Sequence, residues 1–224
     1  ELPGDDFSPC TRIDFLKELR APGGLEARQI VTYDIDTAEV GLLVAILDAI
    51  ESSSFGSLFQ RLGADGSATS CATANMLDGI SRGEWALAYN VLGSYAVARA
   101  RTDPKIGVTA FSDYTIMISR AAMIPRYAAA APSATKFLEY LLSEVGQVVL
   151  SENDFLFDPA TAVSAGGESI VQLAARERFI DLSPPLLIAV DAQKRALYQQ
   201  LWDTFFSVGD GVRPKAPCEL QRFG

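Results

Sequence analysis

Three short stretches gather side chains that could do chemistry. TYDIDTAEVG brings Tyr33, Asp34, Asp36 and Thr37 to the end of a β-branched run. DGSATSCAT sets Ser67, Thr69 and Ser70 in a row of small hydroxyls. SRGEWALAYNVLGSY carries an apolar burst that ends in Tyr89, Asn90, Gly93, Ser94 and Tyr95. Hydroxyls beside the start of a helix suit a small anion, because the first helical turn presents unbonded N–H groups at the positive end of the helix dipole. The carboxylates Asp34 and Asp36 would instead suit a cation, an amine or acid–base work, so the sign of the ligand stays open. Each group also has an ordinary structural use: Ser and Thr cap helices, and Tyr-Asn after a strand makes turns.

What the chain lacks narrows the chemistry further. It contains no histidine, which removes Ser-His-Asp and Cys-His catalysis and His-ligated zinc together. No nucleophile stands beside a base, and there is no P-loop, no GxGxxG and no metal-type spacing, so the reading is non-enzymatic with no cofactor and no metal. A net charge of -9 argues against a general nucleic-acid binder, which needs a basic face. No run approaches the roughly 20 apolar residues of a membrane helix. The opening ELPGDD carries no initiator Met and no signal-like stretch, as expected of a processed chain or an excised piece. Cys10, Cys71 and Cys218 stand far apart; one disulfide with a free thiol and three separate thiols are both compatible with that spacing, and the count does not fix the compartment.

The elements that must position these groups follow from periodicity. With 224 residues the chain can form one large domain or two small lobes. Residues 1–12 read as a linker. RIDFLKELR is a helix with Ile13, Phe15, Leu16 and Leu19 at helical spacing, and APGG stops it. ARQIVTYDI is a strand that runs into a helix at DTAEVGLLVAILDAIESS, capped by Asp36 or Thr37. SFGSLFQRLGADG reads as a second helix closed by Gly63 and Gly66. TSCATANMLDGISRGE reads as a third, capped by Thr69 or Ser70 and ended near Gly79 or Gly83. WALAYNVL is a strand, and KIGVTAFSDYTIMISRAAMIP is one or two strands broken at Ser112-Asp113. APSATKFLEYLLSEVGQVVLSE is a helix pair. Beyond a flexible ATAVSAGGES, SIVQLAARERF and PPLLIAVDAQKRALYQQLWDTFFS read as helices, the last with an apolar stripe of Leu186, Leu187, Val190, Leu197, Leu201 and Phe205. Helices alternating with single strands, and no hairpin signal, predict an α/β fold with a mostly parallel sheet flanked by helices and a helical C-terminal region.

Several of these segments also carry a family likeness. ISRGEWALAYNVLGSY resembles the Gly-Glu, strand, then polar/Tyr segment of bacterial periplasmic solute-binding proteins of the two-lobed type II kind, which includes ferric-ion, thiamine and polyamine binders of ABC transporters. APSATKFLEYLLSEVGQVVLSE is similar to that family's Ala-Pro-started helix with a Ser-x-x-x-Gln ending. KIGVTAFSDYTIMISRAAMIPRYA corresponds to its strand pair returning towards the other lobe, and YDIDTAEVGLLVAILDA to a strand and helix N-terminus at the cleft. The likeness covers roughly residues 10–155, while the tail resembles a subgroup that includes ligand-sensing regions of two-component systems.

The resemblance implies an extracytoplasmic, periplasmic protein that is not itself membrane-spanning. It would take a small polar, anionic ligand in an inter-lobe cleft and present it to an ABC transporter permease; the alternative is the sensing domain of a sensor kinase. Asp34, Thr37, Ser67, Thr69, Ser70, Asn90, Ser94 and Tyr95 would line the cleft, with Asp113 and Tyr114 on crossing strands. Residues 13–115 would form one α/β lobe, and 116–224 the hinge-crossing strands with an incomplete second lobe. The family begins with a strand-helix-strand portion before the region matching Thr11, and here only the linker stands there. Where the ferric binders have adjacent tyrosines, this chain has Ser94-Tyr95, which suits hydrogen bonding to an anion better than iron coordination.

Overall fold

A computed structural model describes residues 11–64, 66–118, 121–153, 171–172, 177–179 and 191–206. Its centre is a three-stranded parallel sheet of order β2-β1-β3, made of β1 (Ile30–Tyr33), β2 (Ala68–Ser70) and β3 (Leu87–Ala88). Val31 pairs with Ala68 on one side and with Ala88 on the other. Every residue of β1 is buried, as expected for the middle strand of a parallel sheet covered on both faces. Alternation splits its side chains between two cores. Ile30 joins Phe15, Leu42, Phe59 and Trp202, and Val31 and Tyr33 join Met76 and Ala68.

Each strand leads into a helix. β1 feeds α2 (Glu39–Glu51), β2 feeds α4 (Thr73–Arg82) and β3 feeds α5 (Gly93–Ala100), while α1 (Arg12–Glu18) and α3 (Phe55–Ala64) complete the wrapping. The α4 helix ends where the sequence indicates, at Gly83, whose φ of 75° lies in the left-handed region that glycine enters without steric cost. Two further parallel pairs lie outside this sheet. β4 (Val108–Thr109) pairs with β6 (Val171–Gln172), and β5 (Thr115–Met117) pairs with β7 (Glu177–Phe179). The helices α6 (Ala131–Leu142) and α7 (Glu144–Glu152) form the expected pair, and α8 (Ala192–Phe206) lies within the last expected helix, whose residues 184–190 and 207 lie outside the described residues. The segments 154–170, 173–176, 180–190 and 207–224, including ATAVSAGGES, Leu186, Leu187 and Val190, lie outside the described residues.

Several local expectations are corrected. Thr69 and Ser70, read as alternative caps of a helix, lie in strand β2, because pairing with the buried β1 outweighs the local capping tendency of Thr and Ser. Parts of SIVQLAARERF are strands β6 and β7, where long-range pairing overrides the helix propensity of Ala, Arg and Glu. The stretch GSYAVARA, read only as the polar exit of a strand, is helix α5. The apolar stripe of α8 is also rotated: Leu197 and Leu201 are exposed, and Trp202 and Phe206 are buried. The indole of Trp202 stacks on Phe206 with ring centroids 4.3 Å apart and lies 4.9 Å from Phe59. Ile13 of α1 likewise faces out while Phe15, Leu16 and Leu19 are buried.

The packing of α3 on α8 has a direct test. Gly63 was expected to close α3, but it sits inside the helix, where an added Cβ would stand 1.9 Å from the Phe205 carbonyl oxygen. Gly56, at the start of the same helix, has open space around it. Exposed Gly→Ala changes in helices gain up to about 1 kcal/mol. Gly56→Ala should therefore raise the urea midpoint, and Gly63→Ala should lower it, through a stability loss of roughly 1–3 kcal/mol typical of overpacking. Equal stabilisation by both substitutions would contradict the close approach of α8.

Candidate functional site

The carboxyl ends of the three parallel strands lie side by side, which in open α/β sheets is where ligands bind. After β1 the chain turns at Asp34. The Asp34 carboxylate accepts the Asp36 N–H at 3.0 Å, and its carbonyl accepts the N–H groups of Thr37 and Ala38. This turn uses the polar residues expected to cap α2, so the cap falls on Ala38, which has no side-chain acceptor. Thr37 is exposed, and Asp36 accepts the Gln199 amide of α8 at 3.0 Å.

The same displacement occurs after β2. The Ser70 hydroxyl bonds locally to the Ala72 backbone, and Ala72 becomes the N-cap of α4 without a side-chain bond. After β3, Asn90 adopts φ 61°, the left-handed conformation that Asn tolerates better than most residues, and Leu92 becomes the uncapped N-cap of α5. Three helix N-termini thus reach the same sheet edge, each capped by an apolar residue. The first-turn N–H groups that a Ser or Asp cap would have engaged are left to other partners.

Tyr33 joins two of these termini. Its hydroxyl hydrogen-bonds to the Thr73 hydroxyl in the first turn of α4 and takes a backbone hydrogen bond from Leu92. Burial pushes the Tyr33 pKa up, against the lowering effect of those two bonds. Ser94 and Tyr95 stand in the first turn of α5, and the Tyr95 side chain is 51% exposed. Thr73 escaped the sequence reading, although its place two residues after the Ser70-Cys71 junction was visible.

Other expected residues lie elsewhere. Ser67 precedes β2, at the opposite end of that strand from Ser70, and is buried. Thr69 is buried within β2, and its hydroxyl has no hydrogen-bond partner. Asn90, Asp113 and Tyr114 converge on two residues that the sequence reading passed over, Asp48 of α2 and Arg12 of α1. The Asp48 carboxylate is 1% exposed. One of its oxygens is ion-paired with Arg12 Nε at 3.0 Å and accepts the Tyr114 hydroxyl at 2.5 Å. The other receives the Tyr89 hydroxyl at 2.6 Å and Asn90 Nδ2 at 2.9 Å. Three hydrogen bonds and the Arg12 ion pair meet the carboxylate, and Arg12 Nε donates its own hydrogen bond to the Tyr89 hydroxyl at 3.1 Å.

Arg12 in turn donates to Asp113 Oδ1 at 2.7 Å and to the Tyr114 carbonyl at 2.8 Å, and its guanidinium lies 3.6 Å from the Tyr114 ring centroid. Burial opposes the Arg12 charge, but Tyr89, Asp48, Tyr114 and Asp113 outweigh it and hold the guanidinium pKa above its ordinary value. Neither Arg12 nor Asp48 carries a sequence signal stronger than its helix. Only the three-dimensional crossing of α1, α2 and the β3 exit marks them.

Cys71, beside Ser70, is disulfide-bonded, which settles the open question for that residue; Cys10 and Cys218 lie outside the described residues. Among the described residues no cluster of three or more Cys, Asp and Glu side chains is arranged to hold a metal ion, and no helix is long and apolar enough to cross a membrane.

No family model matches the chain, and no curated protein matches it. Among solved structures it is similar to the substrate-binding protein of an ABC transporter from Agrobacterium tumefaciens, at 27% identity and a TM-score of 0.74. The match covers 91% of this chain and 61% of that one, so the chain spans about three-fifths of that protein's length. The parallel sheets flanked by helices are therefore a substrate-binding-protein fold.

The network sets a pH dependence. Burial raises the pKa values of Tyr33, Tyr89, Tyr114 and Tyr198 above the ordinary 10.0, and the Asp48 charge adds to the rise at Tyr89, Tyr114 and Tyr198. In the unfolded chain these phenols ionise near pH 10, so the stability they contribute is complete below that pH and is lost as pH climbs beyond it. Spectrophotometric titration should find four of the seven tyrosines protonated until the fold opens, with the urea midpoint falling steadily above about pH 10. Ionisation of all seven with circular dichroism unchanged would contradict the buried network.

Proposed function

We propose that this chain is part of an extracytoplasmic solute-binding protein, non-enzymatic, that captures a small polar anion and presents it to an ABC transporter permease. The observation that carries this reading is the convergence of three uncapped helix N-termini on one sheet edge, in a fold matched over 91% of the chain by a transporter's substrate-binding protein. The first turns of α2, α4 and α5 offer backbone N–H groups and the positive ends of three helix dipoles, a combination that favours an anionic group. Ser70, Thr73, Ser94 and Tyr95 add hydroxyls around that edge, and Thr37 stands at its rim. Asp34 holds the first turn, Asn90 and Tyr114 act behind the site through Asp48, and Asp113 acts there through Arg12. The disulfide at Cys71 fits an oxidising, periplasmic compartment.

Thermal-shift screening tests both the role and the sign of the ligand. Phosphate, sulfate, carboxylates, amino acids, polyamines and metal ions are each titrated against the protein. An anion at a hundred times its dissociation constant should add about 2.7 kcal/mol, a rise in Tm of roughly 5–10 °C for a domain of this size. Stabilisation by a polyamine or metal alone would overturn the anionic assignment, and a ligand converted to product would overturn the non-enzymatic one.

A further inference from the structure

Tyr33 and Thr73 share one hydrogen bond between two hydroxyls, and the pair holds one proton more than it can place. Each hydroxyl has one proton to give and two lone pairs to receive with. The Leu92 backbone N–H donates to the Tyr33 oxygen. Whichever hydroxyl donates within the pair, the other keeps a proton with no acceptor among the described residues. A phenol is the stronger acid and an aliphatic alcohol the better acceptor, so Tyr33 gives its proton to Thr73 Oγ1. The unplaced proton then sits on Thr73, in the first turn of α4. With Thr73 8% and Tyr33 1% exposed, bulk water has little access to it, and a buried donor left unmet is costly.

The neighbouring polar groups are already spent. Ser70 gives its proton to the Ala72 carbonyl at 3.2 Å and takes the Ala72 N–H at 3.4 Å. Asp34 Oδ1 accepts the Asp36 N–H, and Asp36 Oδ1 accepts the Gln199 amide. From the first turn of α5, Tyr95 stands near enough to raise the Tyr33 pKa, so the pair lies between the starts of α4 and α5. The backbone N–H groups of those first turns can only donate. Thr73 is the buried hydroxyl among them that could also accept, and its bond from Tyr33 occupies that capacity.

We propose that Tyr33 is a positioning residue that fixes the Thr73 hydroxyl as a donor at the sheet edge, so that the site selects an anionic group presenting acceptors alone over one that keeps a proton. The inference rests on the reading of this edge as an anion site and names what selects among anions. Thr73 meets the ligand, and Tyr33 acts through Thr73 from beneath. Without the Tyr33 hydroxyl, Thr73 is free to turn and to accept as well as donate, which relaxes selection more than it weakens binding.

Monofluorophosphate and inorganic phosphate test this by calorimetric titration. At about pH 8.5 both are tetrahedral dianions, and one carries fluorine where the other carries a protonated oxygen. The wild-type protein should bind fluorophosphate about tenfold more tightly or better, and Tyr33→Phe should bring the two within about threefold of each other. Thr73→Val, which keeps the shape and removes the donor, should weaken fluorophosphate about tenfold, and it decides the matter if Tyr33→Phe fails to fold by circular dichroism. Equal wild-type affinity for the two dianions, a ratio unchanged in folded Tyr33→Phe, or fluorophosphate binding unchanged in Thr73→Val would each overturn the inference and leave the anion site standing. Binding of neither dianion to the wild-type protein would remove the anion site and this inference together.

Discussion

The buried carboxylate of Asp48 is the constraint around which the rest of this structure is arranged. An ionised carboxylate removed from water costs several kcal/mol unless its charge and lone pairs are met. Here they are met by the Arg12 guanidinium and by three hydrogen bonds from Tyr89, Asn90 and Tyr114, which come from three different parts of the chain. Satisfying one side chain of α2 therefore fixes the start of α1, the exit of β3 and the approach to β5. Breaking such a pair from one side generally costs about 3–5 kcal/mol, while replacing the whole set by apolar groups can be neutral. The network thus specifies which pieces meet more than it adds net stability, and the surrounding aromatic cluster of Phe15, Phe59, Trp202 and Phe206 supplies the hydrophobic driving force.

The same contacts reach the sheet edge. Asp48 holds the Asn90 amide, and Asn90 in its left-handed conformation sets where α5 begins. Leu92 at that start meets the Tyr33 hydroxyl, which meets Thr73 at the start of α4. A chain of hydrogen bonds and one short turn therefore links a charge buried beneath the sheet edge to two of the three helix N-termini. In this account Asn90, Asp113 and Tyr114 orient a site whose surface is made by other residues.

Much of this was legible in sequence, and the failures have a common cause. Local periodicity located β1, α2, α3, α6 and α7, and alternation of helices with lone strands gave the parallel topology, because those signals are written within one segment. The polar clusters at residues 33–37 and 89–95 marked strand ends for the same reason, whereas 67–71 read as the opening of a helix and strand β2 was not legible there. The roles within each cluster were not legible. Asp36 and Thr37 look like caps, but the Asp34 turn consumes them, and Ser70 turns back on its own backbone. Arg12 and Asp48 look like ordinary helix residues, since their partners lie up to 102 positions away. The strands at 171–172 and 177–179 were hidden because only pairing with β4 and β5 makes them strands.

The central claim is that the carboxyl edge of the β2-β1-β3 sheet binds an anion through three helix N-termini. Its most direct measurement is an amide-resolved NMR titration of the isotope-labelled protein with inorganic phosphate and with any anion that stabilises the fold. The account predicts that the largest shifts fall on the backbone N–H groups of Glu39, Val40, Thr73, Ala74, Gly93 and Ser94, with the buried Asp48 network moving less. Shifts concentrated on α6 and α7, or at the amino ends of the strands around Ser67, with those six amides unmoved, would contradict it.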